Sequence, residues 1–140
     1  MNEHDEIPPT QRSVAPLSPL PTDSAERKRV PLSSGLIEYF PAALALVATT
    51  SVEGNDKHNP GQPLQHSRGK STDHDDCVLR HLVDYQALRA AARRGEVGDL
   101  RTEMRTELGN LGWRVLAFIQ QELEDMGAAP LAPRAVLPIK

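Results

Sequence analysis

Most of the side chains that can do chemistry lie between Ser51 and Asp84 of this 140-residue chain. Two acid pairs, Glu53 with Asp56 and Asp73 with Asp76, have the same three-residue spacing, and residues 57–72 separate them. A three-residue step sets two carboxylates on one side of a helix. Two such pairs on neighbouring helical segments can converge. Four carboxylates are hard oxygen donors suited to Mg²⁺ or Mn²⁺, and Mg²⁺ takes its remaining ligands from water and substrate phosphates. The polar stretch between the pairs brings His58, Asn59, His66, Arg68 and Lys70, and Arg80, His81 and Asp84 follow. Acids that hold a metal beside cations that hold a phosphate point to metal-assisted chemistry on a phosphorylated small molecule. Plainer readings stand beside this one. Asp73 to Asp76 also suit a helix N-terminus, where the dipole favours acids. Asp76, Arg80 and Asp84 are four apart and read equally as an ion-pair ladder, or as a phosphate-binding Arg80 oriented by Asp84.

The elements that must position these residues are helical. The chain is 39% hydrophobic and only 4% aromatic, so its core rests on Leu, Val and Ala, which suit helices. One domain with a modest core is what this length allows. The net charge of -3 argues against a general nucleic-acid binder. The lone Cys77 excludes an intramolecular disulfide framework and reads as a small core residue. No apolar run reaches the length of a membrane span, and the polar N-terminus does not read as a secretory signal. A cytoplasmic setting is expected.

Residues 1–28 are Pro-punctuated and poor in core formers, and read as a disordered arm. Arg27, Lys28 and Arg29 close it, either as a solvated junction or with Arg29 reaching a bound phosphate. A helix is expected from Pro41 to Val52, ended by Gly54 and Asn55. It is apolar almost all round, which implies burial in a core or between subunits. Residues 54–70 read as a loop and a second helix opens at Ser71 or Thr72, ending near Arg94 with Gly95 as its cap. A third helix follows Asp99 and runs to about Met126. It is interrupted by Gly109 and Gly112, where a close helix crossing or a ligand is expected. Residues 128–140 form a Pro-rich tail, or an arm laid on a neighbouring subunit.

Four strings carry a resemblance: RVPLSSGLIEYFPAAL, GNDKHNPGQPL, RGKSTDHDDCVLRHLVD and GWRVLAFIQQELE. With the two acid pairs they resemble the MazG-like all-α nucleoside triphosphate pyrophosphohydrolases, and within them the phage dATP/dGTP diphosphohydrolases, the MazZ group. The resemblance covers about Arg29 to Glu124, within a domain of residues 29–127. It implies an all-α helical bundle that cleaves a purine nucleoside triphosphate to monophosphate and pyrophosphate. It further implies that dGTP is favoured over GTP or dATP, and that the product dGMP supplies 2-aminoadenine nucleotide synthesis in a phage. Asp56, Asp73 and Asp76 would then hold Mg²⁺ or Mn²⁺ and carry catalysis, with Glu53 or Glu107 completing the shell. Arg68, Lys70 and Arg80 would bind phosphate, His58 and Asn59 would read base or ribose, and His81 and Asn110 would line the pocket. A homodimer or homotetramer is implied, with no nucleic acid and no membrane as partner. Two competing classes remain. His58, the His74-Asp75 pair and Asp99 resemble the ligand set of His-Asp phosphohydrolases, which would release nucleoside and triphosphate. A non-catalytic nucleotide-binding helical module is the other.

Overall fold

The computed structural model describes residues 17–96 and 98–138. Its fold is all-α. A one-turn helix, α1 (Ser24–Arg27), opens the described chain, capped by Asp23, whose carboxylate accepts from the Glu26 amide at 3.0 Å. The expected disordered arm is therefore ordered at its C-terminal end, while residues 1–16 lie outside the described residues. A π-helical turn, Ser33–Ile37, leads into α2 (Pro41–His58). Pro41 takes the first turn of α2, where its missing N–H costs nothing. Next come β1 (His66–Ser67), α3 (His74–Arg94), α4 (Arg101–Asp125) and β2 (Ala135–Val136).

α2 extends past its expected end at Val52. Gly54 does not break it, and Asn55 is buried inside it, donating its amide to the Gln62 carbonyl at 2.9 Å. One glycine costs about 1 kcal/mol in a helix, which a buried, bonded neighbour offsets. Glu53 and Asp56 thus sit on a helix at the three-residue step. α3 begins at His74, slightly later than expected, and ends at Gly95 in the left-handed conformation (φ 68°), as its position in sequence required.

α4 is the central element. α2 and α3 each pack on it and make no contact with each other. The glycine pair explains the α2 approach. A Cβ at Gly112 would stand 2.7 Å from the Val47 side chain, and one at Gly109 would land on the Thr50 hydroxyl. The Trp113 indole N–H then donates to Ser51 Oγ at 2.8 Å, fixing the register of the crossing. The close helix crossing expected at these glycines is present.

The C-terminal segment lies on its own chain. β2 pairs with β1 in parallel, His66 opposite Ala135 and Ser67 opposite Val136. Pro138 packs against Gly69, whose φ is 81°. Among the described residues no helix is long and apolar enough to cross a membrane. Ala117, 4% exposed, is the one buried hydrophobic residue among them, while Leu79, Val83 and Tyr39 are 59%, 61% and 72% exposed.

The crossing yields a test. Gly109→Ala should destabilise the protein by about 1–3 kcal/mol despite the better helix former, because the methyl collides with Thr50. In a Thr50→Ala background the same change should cost far less, measured as the coupling in a double-mutant thermal-denaturation cycle. Additive effects would show that the collision is not what sets the cost.

Candidate functional site

The acidic residues fall on separate faces. Glu53 and Asp56 are exposed on α2. Asp73 sits at the N-cap of α3, with Asp76 exposed in the first turn. Because α2 and α3 do not touch, the two pairs do not meet within the chain. No three carboxylate, imidazole or thiol groups among the described residues converge as a metal-binding group. The donors are chemically suited to Mg²⁺ or Mn²⁺, but a single chain does not preform a centre.

Arg80 donates to Asp73 at 2.9 Å, across a half-exposed surface. That hydrogen bond holds the Asp73 carboxyl below its usual range against the opposing effect of desolvation, with the guanidinium charge adding to it. Arg80 thus pairs with the acid seven residues before it rather than building the ladder through Asp76 and Asp84. These two acids flank a shallow groove of about 350 Å³ on the outer side of α3, with Leu79, Arg80 and Val83. His81 meets Glu107 at 2.8 Å across the α3–α4 contact, so Glu107 is engaged with His81 rather than with the other acids. Asn110 is half-buried on α4. Lys70 and His58 are exposed, whereas Asn59 turns inward and donates to Asn55 at 3.4 Å. Asp99 pairs with Arg101 at 2.7 Å, so His58, His74-Asp75 and Asp99 do not assemble either.

A second cluster was not foreseen. Arg68 is buried, and its Nε and Nη2 donate to the two Glu124 oxygens at 2.9 and 2.8 Å. Its guanidinium is thereby committed to Glu124 rather than turned outward toward a phosphate. Glu124 also accepts from Gln120 at 2.7 Å and from the Ala132 amide at 3.1 Å. Burial pushes its carboxyl up, and these donors outweigh it, so the net shift is downward. Arg68 also touches His66 Nδ1. Arg114 bonds Ser71 Oγ at 2.9 Å and His74 Nδ1 at 3.1 Å.

Two imidazoles therefore each offer Nδ1 to a guanidinium. A guanidinium only donates, so each Nδ1 is an acceptor and each proton sits on Nε2. The Gln121 amide lies 3.2 Å from His66 Nε2, and an N–H there needs the amide oxygen as its acceptor. His74 Nε2 is buried with no hydrogen-bond partner. Burial first, then Arg68, lowers His66 to about 4. Burial and Arg114 lower His74 in the same sense, with Gln121 opposing. His66 also meets the Trp113 ring edge-on at 4.9 Å. Beside the cluster opens a pocket of about 570 Å³ bounded by Ser71, His74, Phe118 and Leu131. Asp75, Glu122 and Asp125 line it too, an acidic wall unsuited to a triphosphate. The sequence signal for this cluster was weak: Arg68 and Glu124 are far apart in the chain, and only the strap after Gly127 brings a carboxylate-binding amide to Glu124.

No family model matches the chain, and neither the characterised proteins nor the solved structures include a similar one.

The cluster makes stability depend on pH. His66 titrates near 6.5 when unfolded and near 4 when folded. In that window the unfolded chain binds the proton that the folded chain refuses, so stability falls as pH drops from 6.5 towards 4. His74 acts in the same direction, and Glu124 adds a further loss at lower pH when its carboxylate is protonated. Thermal midpoints against pH should show this slope, and His66→Phe should flatten it. An unchanged slope would remove His66 as its source. Glu124→Ala should cost about 3–5 kcal/mol by leaving a buried guanidinium unpaired, whereas Arg68→Met with Glu124→Leu should cost less. Chemical denaturation of the two variants checks the order.

Proposed function

We propose that the chain hydrolyses a purine nucleoside triphosphate, dGTP by preference, to monophosphate and pyrophosphate, as a relative of the MazG-like all-α pyrophosphohydrolases and of the MazZ group. The observation that carries the reading is the placing of the acids. Both pairs stand at helical three-residue spacing, open to solvent, on either side of a polar segment that carries an exposed Lys70. An all-α fold is the architecture the reading requires. Mg²⁺ or Mn²⁺ arriving with the triphosphate would meet hard oxygen donors at Asp56, Asp73 and Asp76, with Glu53 beside Asp56. Lys70 and Arg80 are the cations placed to receive phosphate oxygens, Arg80 exchanging Asp73 for substrate. His58, at the exposed end of α2, is the candidate for base or ribose. Water adds to the α-phosphorus, the bond to the bridging oxygen breaks, and pyrophosphate leaves with the electron pair. The water's proton passes to a carboxylate acting as general base. The monophosphate dGMP would be a precursor for 2-aminoadenine nucleotides.

A homodimer or homotetramer belongs to the same proposal. The acids on α2 and α3 are held apart by α4, so a second copy or a bridging substrate must bring opposed carboxylates together. The amount of apolar surface left uncovered favours the second copy.

The test is product analysis. Purified protein is incubated with each nucleoside triphosphate and Mg²⁺ or Mn²⁺, and the products are separated. Monophosphate and pyrophosphate, most rapidly from dGTP, are expected. Asp76→Ala should abolish turnover with helical circular dichroism unchanged. Nucleoside plus triphosphate would replace this reaction with one centred on His74 and Asp75. Nucleotide binding without turnover would leave a non-catalytic module.

A further inference from the structure

Two exposed apolar surfaces of this chain complement each other in charge. The first is the segment before α2. Leu32, Leu36, Ile37 and Phe40 are 40–54% exposed, and the exposed cations Lys28 and Arg29 precede them. Of the described elements the π-helical turn packs only on α2, and α2 does not touch α3. The second is the outer groove of α3, where Leu79 and Val83 stand exposed and Asp84 forms one wall. Arg80 already holds Asp73, and Asp84 has no ion-pair partner among the described residues. The groove faces away from α4, since α3 turns His74 and His81 towards it.

We propose that the segment 28–40 of one copy docks in the α3 groove of a second copy. Leu36, Ile37 and Phe40 would cover Leu79 and Val83, and Lys28 or Arg29 would pair with Asp84. The occupant is a second copy for three reasons. The chain carries both halves of a matched pair: the segment has Lys28 and Arg29 against one acid, Glu38, and the groove has Asp76 and Asp84 against Arg80, which Asp73 already holds. It does not bring them together itself. And with Ala117 as the one buried hydrophobic among the described residues, a single chain lacks the core its length requires. The apolar stripe on α4, Leu116 and Ile119, is somewhat less exposed, and the acid beside it, Glu122, lines the pocket shared with Asp75 and Asp125. Segment on groove and groove on segment, related by a two-fold axis, form an isologous interface that closes a dimer. Asp76 lines the other end of the same groove, two turns or about 12 Å from Asp84, so the arm's cations sit at the end away from Asp76 while its apolar residues lie beside it. The inference does not depend on the nucleotide reaction.

The experiment uses the full chain with Cys77→Ser. One preparation carries Ile37→Cys, a second Val83→Cys, and a third Ile119→Cys. Preparations are mixed in pairs and oxidised with diamide, and disulfides are identified by mass. A 37–83 cross-link should dominate, and sedimentation of the unmodified protein should show a dimer. Asp84→Lys should weaken association about tenfold, by reversing the charge at the contact. Arg29→Glu with Lys28→Glu should restore it. A monomer at every concentration overturns the proposal. So does a dimer cross-linked 83–83 or 119–119, or one in which charge reversal at Asp84 is without effect.

Discussion

The buried ion pair between Arg68 and Glu124 is the constraint on which the rest of the structure leans. It joins a loop that has almost no regular structure to the last turn of the central helix. Two charges taken out of water are costly unless their remaining hydrogen-bonding capacity is met. Here it is met: Gln120 and the Ala132 amide complete Glu124, and His66 sits against Arg68. Through Ala132 the pair also recruits the C-terminal strap, whose β2 hydrogen-bonds on either side of Ser67. The loop, the start of α3 and the chain's end are thereby held by one polar knot rather than by an apolar core.

That choice of glue explains which parts were legible in the sequence. The three long helices followed from apolar spacing and from Pro41, Gly95 and the glycines of α4, all of which act locally. The close crossing at Gly109 and Gly112 was readable because a missing Cβ is a statement about what must fit there. The end of α2 was misplaced because Gly54 and Asn55 look like a cap, and only the distant Gln62 carbonyl shows why Asn55 stays helical and buried. Arg68 looked like a phosphate ligand because an arginine in a polar loop carries no local sign of its partner. Glu124 lies on another helix, and no spacing rule connects them. That the Pro-rich tail lies on its own chain, neither free nor on a neighbouring subunit, was illegible for the same reason: two residues of parallel pairing leave no periodic trace. The acid pairs themselves were legible as helical, but their separation by α4 was not, since sequence spacing says nothing of which helices touch.

The fold also separates two kinds of surface that the sequence presents together. The histidines divide between them. His66 and His74 are drawn into the knot, neutral and flanked by arginines, so they serve packing more readily than proton transfer. His58 and His81 stay at the helix surfaces, His81 already tied to Glu107. The carboxylates of Glu53, Asp56 and Asp76 remain at the surface, and of the two pairs only Asp73 takes a cation from among the described residues. Polar groups that could have neutralised one another locally are thus kept apart, with the buried set paired except at His74 Nε2 and Glu53, Asp56 and Asp76 left open.

An exposed carboxylate pair is inexpensive to keep and does nothing for the stability of a monomer. Its persistence on two helices that turn away from each other acquires a physical purpose only if something brings opposed acids within reach of one polyanion. A substrate carrying cations spans such a gap by electrostatics, but it does not cover Leu79 or Val83. The proposed second copy would do both, because burying apolar helix faces is the dominant driving force for association and would reposition whatever acids those faces carry. Core deficit and divided acids are therefore two consequences of one arrangement, a central helix with a neighbour on each side and no fourth element to close the bundle.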